Sequence, residues 1–287
     1  DGQMTVGKMR SLTYTIGQVN APVSAVIGFA RQFQDAKISL ERLNEIHGRQ
    51  DEEQHIENKL SILPEKKDII VNHLSFSYDG ADRDYVLDDV CLTIPEKKIT
   101  AIVGASGSGK TTLLKLILGF YEPNKGDIRM HDTPIGLINP HLWRAKSGAV
   151  MQDGFIFSDT IANNIAVNTD NIDIERLRHA VTVANIREFI DSLPLGYNTK
   201  IGMEGNGISQ GQRQRLLIAR AVYKNPEFLF FDEATNALDA NNEKIIMEYL
   251  NEFYRGKTVV VVAHRLSTVK NADKIIVLWR KKVRIKN

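Results

Sequence analysis

The residues from Gly104 to Thr112 have the types and the spacing needed to bind a chain of phosphates. They read Gly-Ala-Ser-Gly-Ser-Gly-Lys-Thr-Thr and fit the pattern G-x-x-x-x-G-K-[ST]. The glycines let the backbone curl, so that several N–H groups and the start of a helix face the negative charge. The Lys110 ammonium would reach the β- and γ-phosphates, and the Thr111 hydroxyl would bind Mg²⁺. An ordinary glycine–serine turn would leave the four fixed positions of this pattern unexplained.

Two acidic residues further along the chain could complete such a site. Asp232 and Glu233 follow the apolar run Phe228–Phe231, which is typical of a buried strand. A carboxylate at the carboxyl end of a strand beside a phosphate loop can hold Mg²⁺, usually through water, and we assign this role to Asp232. Glu233 could then polarise the attacking water as a general base.

The elements that must position these residues alternate between strand and helix. The run Ile99–Val103 is short, apolar and β-branched, and the Leu-rich Thr111–Gly119 reads as a helix. Alternating strands and helices indicate an α/β fold built on a parallel sheet. Further strands are predicted at the following segments: Ile69–Tyr78, Tyr85–Ile94, Gly148–Met151, Val259–Ala263 and Lys274–Leu278, with a hairpin at Lys125–Ile135 and helices within Thr160–Ile190.

Composition limits the classes of function that are open. The 287 residues carry a formal net charge of +2, with 25% charged and 43% hydrophobic residues, a profile typical of a globular protein. No basic excess points to nucleic acid as a partner. The single cysteine, Cys91, excludes a disulfide within the chain and fits a reducing compartment; we expect it to be a small core residue.

The segment Ser11–Ala30 contains no charged side chain. Twenty helical residues would span about 30 Å, the thickness of the hydrocarbon core of a bilayer. Polar residues and a proline interrupt the segment: Thr13, Thr15, Gln18, Asn20 and Pro22. From composition alone, a transmembrane helix that faces a helix bundle and a soluble amphipathic helix are both open.

The stretch Ile208-Ser-Gln-Gly-Gln212, with Arg213 and a helical segment through Val222 after it, resembles the signature motif of ABC-transporter ATPases. The family motif is Leu-Ser-Gly-Gly-Gln, so this chain departs from it at Ile208 and Gln210. Further motifs of the family follow in the expected order. Tyr78 resembles the aromatic residue that stacks on adenine, and Gln152 resembles the residue that contacts both Mg²⁺ and the transmembrane partner.

The resemblance extends to two loops near the end of the chain. The stretch Asn236-Ala-Leu-Asp239 resembles the loop that crosses the dimer interface, with Asn in place of the more usual Ser. His264 resembles the histidine that contacts the γ-phosphate. Each residue alone has an ordinary interpretation, such as a hydrogen-bonded loop histidine, but the order of the motifs argues against coincidence.

The resemblance implies a fold and a set of site residues. The fold is a P-loop NTPase (RecA-like) α/β core with an antiparallel β subdomain and an α-helical signature subdomain, preceded by a terminal transmembrane-type helix. The implied cofactors are ATP and Mg²⁺, with Glu233, His264 and Gln152 as catalytic residues and Thr111, Gln152 and Asp232 around the metal. The residues implied to contact ATP are Tyr78, Gly104, Ala105, Ser106, Gly107, Ser108, Gly109, Lys110, Thr111, Thr112, Ser209, Gly211, Gln212 and Asp239.

The resemblance also implies the domain organisation and the partners. Residues 1–48 would end a transmembrane domain, residues 49–60 would be a linker, and residues 61–287 would form the nucleotide-binding domain. A second nucleotide-binding domain, identical or not, would pair head to tail with this one, and hydrolysis would drive export across the bacterial inner membrane with the ATPase domain on the cytoplasmic side. The stretch Glu204–Ser209 most resembles the peptide and bacteriocin branch of exporters, so a peptide is the expected cargo.

The end of the chain departs from the family pattern. The family would have a glycine-turn hairpin and a closing helix where this chain has Trp279–Asn287, with five basic residues. A membrane-surface tail, a truncation and a change of reading frame are all open, and the packing of the last strand is in doubt. Two other functions also stay open, namely a soluble ABC ATPase that does not transport and a degenerate module that binds ATP but hydrolyses it weakly.

Overall fold

The structure is a computed structural model, and it describes residues 5–47, 56–78, 85–167, 171–202, 207–234, 238–263, 269–279 and 282–286. The chain divides into two compact units, Asp1–Ile56 and Glu57–Asn287. Within the described residues the helices are, in chain order, α1 (Val6–His47), α2 (Lys110–Ile117), α3 (Pro140–Lys146), α4 (Ile161–Ile165), α5 (Ile174–Val183), α6 (Arg187–Asp191), α7 (Gln210–Lys224) and α8 (Ala240–Phe253).

The strands all belong to the second unit. In chain order they are β1 (Ile69–Phe76), β2 (Leu87–Ile94), β3 (Ile99–Gly104), β4 (Lys125–Met130), β5 (Thr133–Pro134), β6 (Ser147–Val150), β7 (Asp159–Thr160), β8 (Lys200–Ile201), β9 (Phe228–Asp232), β10 (Thr258–Val262), β11 (Lys274–Trp279) and β12 (Lys282–Lys286). Most of the predicted strands are therefore confirmed to within two residues at each end.

The first unit is the single helix α1, whose 42 residues include Pro22. The hydroxyls of Ser11, Thr13 and Thr15 each donate to the carbonyl four residues earlier, at 2.8–3.0 Å, so these polar side chains are satisfied by the helix itself. A helix over this segment is confirmed. Among the residues that the structure describes, however, no helix combines the length and the apolar character that crossing a membrane requires. The expected transmembrane-type helix is therefore not supported.

The core of the second unit is a sheet with the strand order β12-β11-β3-β10-β9-β6. All neighbours in it are parallel except β11 and β12, which are antiparallel. Every residue of β9 and β10 is buried, which agrees with their continuous apolar runs. The predicted parallel α/β sheet is therefore confirmed.

The basic end of the chain forms the outer strand of this sheet. In β12, Lys282 pairs with Trp279 and Lys286 pairs with Ile275 of β11. The hypothesis of a membrane-surface tail is not supported, because the backbone of this segment is engaged in the sheet. The doubt about the last strand is also resolved, since β11 pairs with β3 in parallel from Lys274 to Leu278.

A second, antiparallel sheet has the order β2-β1-β4-β5. In β2, Val90 and Leu92 are buried, whereas Cys91 between them is exposed. The expectation that Cys91 is a core residue is wrong. Its neighbours give the reason, because side chains alternate between the two faces of a strand and the apolar Val90 and Leu92 take the buried face.

The helices α4 to α7 and their connections form the third part of this unit, and they share one apolar core with the β6 side of the parallel sheet. Two of these helices begin at side-chain caps: the Thr160 hydroxyl accepts from Asn163 N at 3.1 Å, and Asp173 accepts from the amides of Glu175 and Arg176. The segment predicted as helical is therefore three helices: α4 begins after Thr160, α5 begins after Asp173, and α6 follows without a side-chain cap.

Glu227 joins three segments of the second unit just before β9. Its carboxylate accepts from Lys67 Nζ at 2.6 Å and Lys146 Nζ at 2.8 Å, and its amide donates to the Lys146 carbonyl. Hydrogen bonds from Lys146 and then Lys67 hold the pKa of the Glu227 carboxyl below its ordinary value.

We expect Glu227→Gln to lower the free energy of unfolding at neutral pH by about 1 kcal/mol at most, because this ion pair is partly exposed to solvent. A pKa lowered by folding stabilises the protein above the unfolded-state pKa, and that contribution is lost as pH falls through the folded-state pKa. The difference between the variant and the parent should therefore vanish in acid. Urea titrations at several pH values measure it. The control Glu175→Gln, at a more exposed pair with Arg178, should change little; a pH-independent difference for Glu227→Gln would contradict this prediction.

Candidate functional site

The predicted site residues lie at one edge of the parallel sheet, where the carboxyl ends of its parallel strands meet. β3 ends at Gly104, where the phosphate loop begins, and β9 ends at Asp232. Strand β10 lies between them, and its Val262 pairs with both Ile102 and Asp232. The acids and the loop therefore face each other across one strand. His264 follows β10 but lies outside the described residues, so its role stays a prediction.

Glycine is required in the phosphate loop for two different reasons. Gly109, the residue before α2, has φ 95°, and a Cβ there would lie 2.6 Å from Leu87 Cδ2. At Gly104 a Cβ would lie 2.3 Å from the Leu278 carbonyl oxygen of the neighbouring strand β11. Between these positions, Ala105, Ser106 and Gly107 are exposed, as a loop that binds a ligand must be.

The Lys110 side chain is buried beneath this loop. Its Nζ donates to the carbonyl of Gly104 at 3.0 Å and to the carbonyl of Ala105 at 2.9 Å. Burial lowers the pKa of Lys110, while the negative charges of Glu233 and Asp232 raise it. The Lys110 ammonium is thus held by two carbonyls of the phosphate loop, close enough to Asp232 and Glu233 to interact with their charges. It is placed to meet a phosphate that enters the loop.

The Asp232 carboxylate is fully buried, and neither of its oxygens has a hydrogen-bond partner of standard geometry among the described residues. Burial raises the pKa of the Asp232 carboxyl, the nearby Thr111 hydroxyl lowers it, and the charge of Glu233 raises it further. Buried polar groups are normally paired, so these two oxygens need an explanation. Carboxylate and hydroxyl oxygens are the ligands that Mg²⁺ prefers, and the residues Asp232 and Thr111 therefore fit a Mg²⁺ ion.

Glu233 has an uncommon backbone conformation for a residue other than glycine. Its φ is 51°, and its carbonyl accepts from Gln214 Nε2 of α7 at 3.1 Å. A left-handed glutamate costs free energy and persists only where its surroundings impose it, which is a frequent feature of functional sites. The half-buried position of Glu233 directly after Asp232 is compatible with the predicted role of general base.

Gln152 lies two residues after β6, whose Val150 pairs with Phe231 of β9. The side chain is exposed at the same edge of the sheet as Asp232 and Glu233. The segment after Gln152 is held by α7, because Arg213 donates to the Gly154 carbonyl at 2.9 Å and Arg220 donates to the Phe155 carbonyl, also at 2.9 Å.

Neither of these arginine contacts was predicted from the sequence, although Arg213 directly follows the signature stretch. The two arginines are seven residues apart, about two helical turns, and so lie on one side of α7. This spacing was the available signal, although it does not reveal which carbonyls the arginines bind. Gly154 is also necessary there, since a Cβ on it would lie 2.4 Å from Leu217 Cδ1.

Tyr78 stands beside the phosphate loop, and its hydroxyl lies 3.1 Å from Thr112 Oγ1. Its ring meets Phe76 and Tyr121 edge to face, with centroids 5.0 Å and 5.2 Å away. About half of the Tyr78 residue is exposed (49%), so it is not a core residue, and a base could still stack on it. Tyr121 follows α2 in an irregular segment, and no motif of the sequence marks it as part of this site.

Ser209 caps α7 together with Gln212. The Ser209 hydroxyl accepts from Gln212 N at 3.2 Å, and Gln212 Oε1 accepts from Ser209 N at 2.8 Å, which forms a capping box. Ser209 is therefore the N-cap residue of α7. Gln210 is the first residue of α7 and is exposed. No hydrogen bond joins Ser209 or Gly211 to the phosphate loop in the part of the chain that the structure describes.

Asp239 caps α8 and belongs to a network of polar side chains. It accepts from the amides of Asn241 and Asn242, and hydrogen bonds from the side chain and then the backbone of Asn242 lower the pKa of its carboxyl. The Asn242 side chain also accepts from Asn185, whose carbonyl accepts from Arg215 of α7. Asn236, predicted for the same loop, lies outside the described residues.

The structure therefore brings the phosphate loop, the two acids, Gln152 and Tyr78 to one region. It places Ser209, Gly211, Gln212 and Asp239 at the starts of two other helices. Their contacts with nucleotide stay predictions, because the hydrogen bonds recorded for Ser209, Gln212 and Asp239 are the caps of their own helices.

The sequence profile of the family described as ABC transporter matches residues 87–236, which is more than half of the chain. The chain belongs to the ABC transporter family. It is 41% identical over 277 residues to the toxin RTX-I translocation ATP-binding protein of Actinobacillus pleuropneumoniae, a match that covers 96% of this chain and 39% of that protein. It is 38% identical over 282 residues to the alpha-hemolysin translocation ATP-binding protein HlyB of Escherichia coli, covering 98% of this chain and 40% of that protein.

A solved structure, that of a bacterial Atm1-family ABC exporter with ATP bound, is also similar. It has a TM-score of 0.78 and 31% sequence identity, over 98% of this chain and 49% of that one. The resemblance drawn from the motifs is thus confirmed. Proteins of the ABC transporter family bind ATP with Mg²⁺ and are ATPases coupled to transport. The chain spans about two fifths of the length of the curated relatives that it matches.

The unpaired carboxylate of Asp232 generates a prediction that separates stability from metal binding. We expect Asp232→Asn to raise the free energy of unfolding of the nucleotide-free protein at neutral pH by about 1 kcal/mol, because a buried unpaired charge is removed. Because folding raises the pKa of Asp232, its contribution to stability is complete below the unfolded-state pKa and is lost as pH rises through the folded-state pKa. The gain should therefore disappear in acid.

The same variant should lose the additional thermal stability that Mg²⁺ gives to the ATP complex. The matched control is Asp273→Asn, because the Asp273 carboxylate accepts from Ile99 N at 2.8 Å and Lys98 Nζ at 3.2 Å. That variant should be less stable than the parent with or without nucleotide. Thermal unfolding with ATP alone and with Mg-ATP measures both effects. An equal loss of stability in the two variants without nucleotide would contradict the prediction.

Proposed function

We propose that this chain is the ATP-hydrolysing part of an ABC exporter and that Glu233 is its general base. The observation that carries the proposal is the arrangement at the end of β9, where a buried unpaired carboxylate and a left-handed glutamate follow each other opposite the phosphate loop. A degenerate ATP-binding module would need neither the unpaired Asp232 nor the strained Glu233. The similar exporters favour transport over a soluble ABC ATPase.

Each residue of the site has a separate task in this proposal. The loop N–H groups and Lys110 bind the β- and γ-phosphates and orient the terminal phosphorus for in-line attack. Thr111 and Asp232 would hold Mg²⁺, with Gln152 near it; when bound, the ion neutralises phosphate charge as the bond to the leaving group breaks. The Glu233 carboxylate accepts a proton from the attacking water, and Tyr78 supports the adenine ring.

The site of one chain is incomplete, and we propose that a second copy or a related domain completes it. Ser209 and Gly211 stand at the exposed start of the 15-residue helix α7, where unpaired amide groups and the helix dipole favour an anion. A head-to-tail pair would bring this helix start to the γ-phosphate on the partner. The exposed Asp239 at the start of α8 would lie at the same interface, and His264 would contact the γ-phosphate. Gln210 is compatible with this role, because the hydroxyl and amide that bind phosphate are not its own.

The experiment that tests the proposal is the substitution Glu233→Gln. The variant should bind Mg-ATP as tightly as the parent, but its turnover should fall by at least about a hundredfold, the contribution of a positioned general base. The ATP-bound pair should therefore persist, and size-exclusion chromatography with Mg-ATP should show a dimer. The control Glu248→Gln, at an exposed residue of α8, should keep normal turnover. Normal hydrolysis by Glu233→Gln would exclude this glutamate as the base.

We propose that the cargo is a polypeptide and that the whole protein works in the bacterial inner membrane, with this domain on the cytoplasmic side. The relatives named above are translocation proteins for RTX-I toxin and alpha-hemolysin, which supports a protein cargo more than the short peptide or bacteriocin suggested by Glu204–Ser209. Residues 1–48 would then be the end of the transmembrane domain and residues 49–60 a linker. The alignment of 96–98% of this chain with exporters supports the assignment of the first segment to the same protein architecture.

Inside-out membrane vesicles that contain the whole protein provide a test of the cargo. With ATP, a labelled toxin of the RTX type should become protected from added protease, and a labelled short peptide should not. Vesicles with the Glu233→Gln variant should protect neither. Protection of the peptide alone would restore the bacteriocin-type cargo, and protection of neither by the parent would contradict a polypeptide exporter.

A further inference from the structure

We propose that His73, Asp89 and Cys91 form a binding site for a zinc-type divalent cation on the exposed face of the β1–β2 pair. The three residues offer one nitrogen, one oxygen and one sulfur, and these ligand atoms all lie within 4.8 Å of one another. Within the described part of the chain, they are the only group of three such residues with this spacing. None of them belongs to the site for ATP.

Two β-bulges bring these side chains together. Leu74 pairs with Val90, but the next pairs on either side are out of register, so each strand carries additional residues next to this point. His73 lies in the bulge of β1, with φ 46°, and Asp89 lies in the bulge of β2, with φ 53°. Left-handed backbone at two facing residues other than glycine is uncommon, and here it turns both side chains toward Cys91.

A neighbouring strand accommodates the bulge of β1. Gly126 of β4 has φ 79°, and a Cβ on it would lie 2.3 Å from the carbonyl oxygens of both Asn72 and His73. The bulge therefore requires glycine at position 126. On the other side, the amide of Asp89 donates to the Ser75 hydroxyl at 3.1 Å, which fixes the second bulge against β1. Packing from both sides thus holds the group in place without any ligand.

The distances fit a small tetrahedral ion. Zinc binds nitrogen and oxygen at about 2.0–2.2 Å and sulfur at about 2.3 Å, so tetrahedral ligands lie roughly 3.5 Å apart. His73 Nδ1 and Asp89 Oδ1 are 2.7 Å apart as a hydrogen-bonded pair, and a small side-chain rotation would separate them enough to admit the ion. The fourth position would be left to water, because three protein ligands are available.

A backbone contact fixes the position of the sulfur beside the other two ligands. The amide of His73 donates to Cys91 Sγ at 3.2 Å, which ties the thiol to the bulge that carries the imidazole ligand. A mixed donor set of thiolate and imidazole selects zinc or a similar soft transition metal over Mg²⁺. The ion that serves ATP hydrolysis is therefore not a competitor for this group.

Cobalt(II) is the probe for the test, because a cobalt–thiolate bond gives a charge-transfer absorption band in the near ultraviolet. Cys91 is the only cysteine, so in the 287-residue chain this band can come from no other site. We expect one equivalent of cobalt to produce the band without nucleotide, zinc to abolish it by displacement, and excess Mg²⁺ to leave it unchanged. Absence of the band at cobalt concentrations well above that of the protein would overturn the proposal.

Substitutions identify the other two ligands. Cys91→Ser should remove the band, and His73→Asn and Asp89→Asn should each weaken cobalt binding by about tenfold or more. Asparagine tolerates a left-handed backbone, so these two variants keep the bulges. The control His179→Asn, at an exposed histidine of α5, should bind as the parent does. Unchanged affinity in both the His73 and Asp89 variants would overturn the site as proposed.

Protection of the thiol gives a measurement on the unaltered chain. Zinc should slow the alkylation of Cys91 by iodoacetamide, as followed by mass spectrometry, and the same concentration of Mg²⁺ should not. This comparison does not depend on the folding of any variant. Equal alkylation rates with and without zinc would show that the thiol is not a ligand and would overturn the proposal.

Discussion

The desolvated carboxylate of Asp232 is the constraint on which the rest of the site depends. Burial of a carboxylate is expensive, because the group loses its hydration, and here the Thr111 hydroxyl and the charge of Lys110 offset only part of that loss. The fully buried strand β9 fixes the carboxylate in this position, through the aromatic side chains of Phe228, Phe230 and Phe231 and through pairing with β10 and β6. The core thus supplies the stability that this one group removes, and its two oxygens stay available to a cation.

The phosphate loop is tied to the same sheet by close approach of backbones. Gly104 is a glycine because β11 passes so near that a Cβ would meet the Leu278 carbonyl, whereas Gly109 is a glycine because of its positive φ. Only the second reason belongs to the loop itself. The first reason shows that the glycine at position 104 of the pattern G-x-x-x-x-G is also required by the packing of β11, whose Leu278 lies 174 residues later in the chain. The outer strands therefore contribute to the shape of the loop.

Helix α7 connects parts of the site that are distant in sequence. Its start carries the capping box of Ser209, its middle binds the carbonyls of Gly154 and Phe155 through arginines, and Arg215 reaches the network at the cap of α8. Gln214 binds the carbonyl of Glu233 itself. A helix of 15 residues is stiff on this scale, so a displacement of its exposed start would move both the segment after Gln152 and the backbone of Glu233. This is the physical route by which a partner at the start of α7 could influence hydrolysis.

Features that depend on residues close together in the sequence could be predicted, and contacts between distant segments could not. The phosphate loop, the acids after β9 and the helix caps depend on residue types at short spacing, and the fold around them could be predicted. The carbonyls that Arg213 and Arg220 bind could not be predicted, because every residue has a backbone carbonyl and the residue type does not show which one accepts a hydrogen bond. The helix at Ser11–Ala30 was predicted, but no described helix has the length and apolar character that a membrane span requires, because polar residues interrupt this segment.

The exposure of Cys91 could have been predicted from the sequence, whereas the presence of two other metal-ligating side chains beside its thiol could not. Side chains alternate between the two faces of a strand, so the apolar Val90 and Leu92 face the core and the thiol of Cys91 lies on the other face. His73 and Asp89 lie beside Cys91 because of two bulges. Each bulge shifts the register of the strand pair by one residue, so the later residues of the bulged strand place their side chains on the opposite face of the sheet. A sequence does not reveal such shifts unless glycine marks them, and here the glycine that permits the first bulge, Gly126, lies on a different strand.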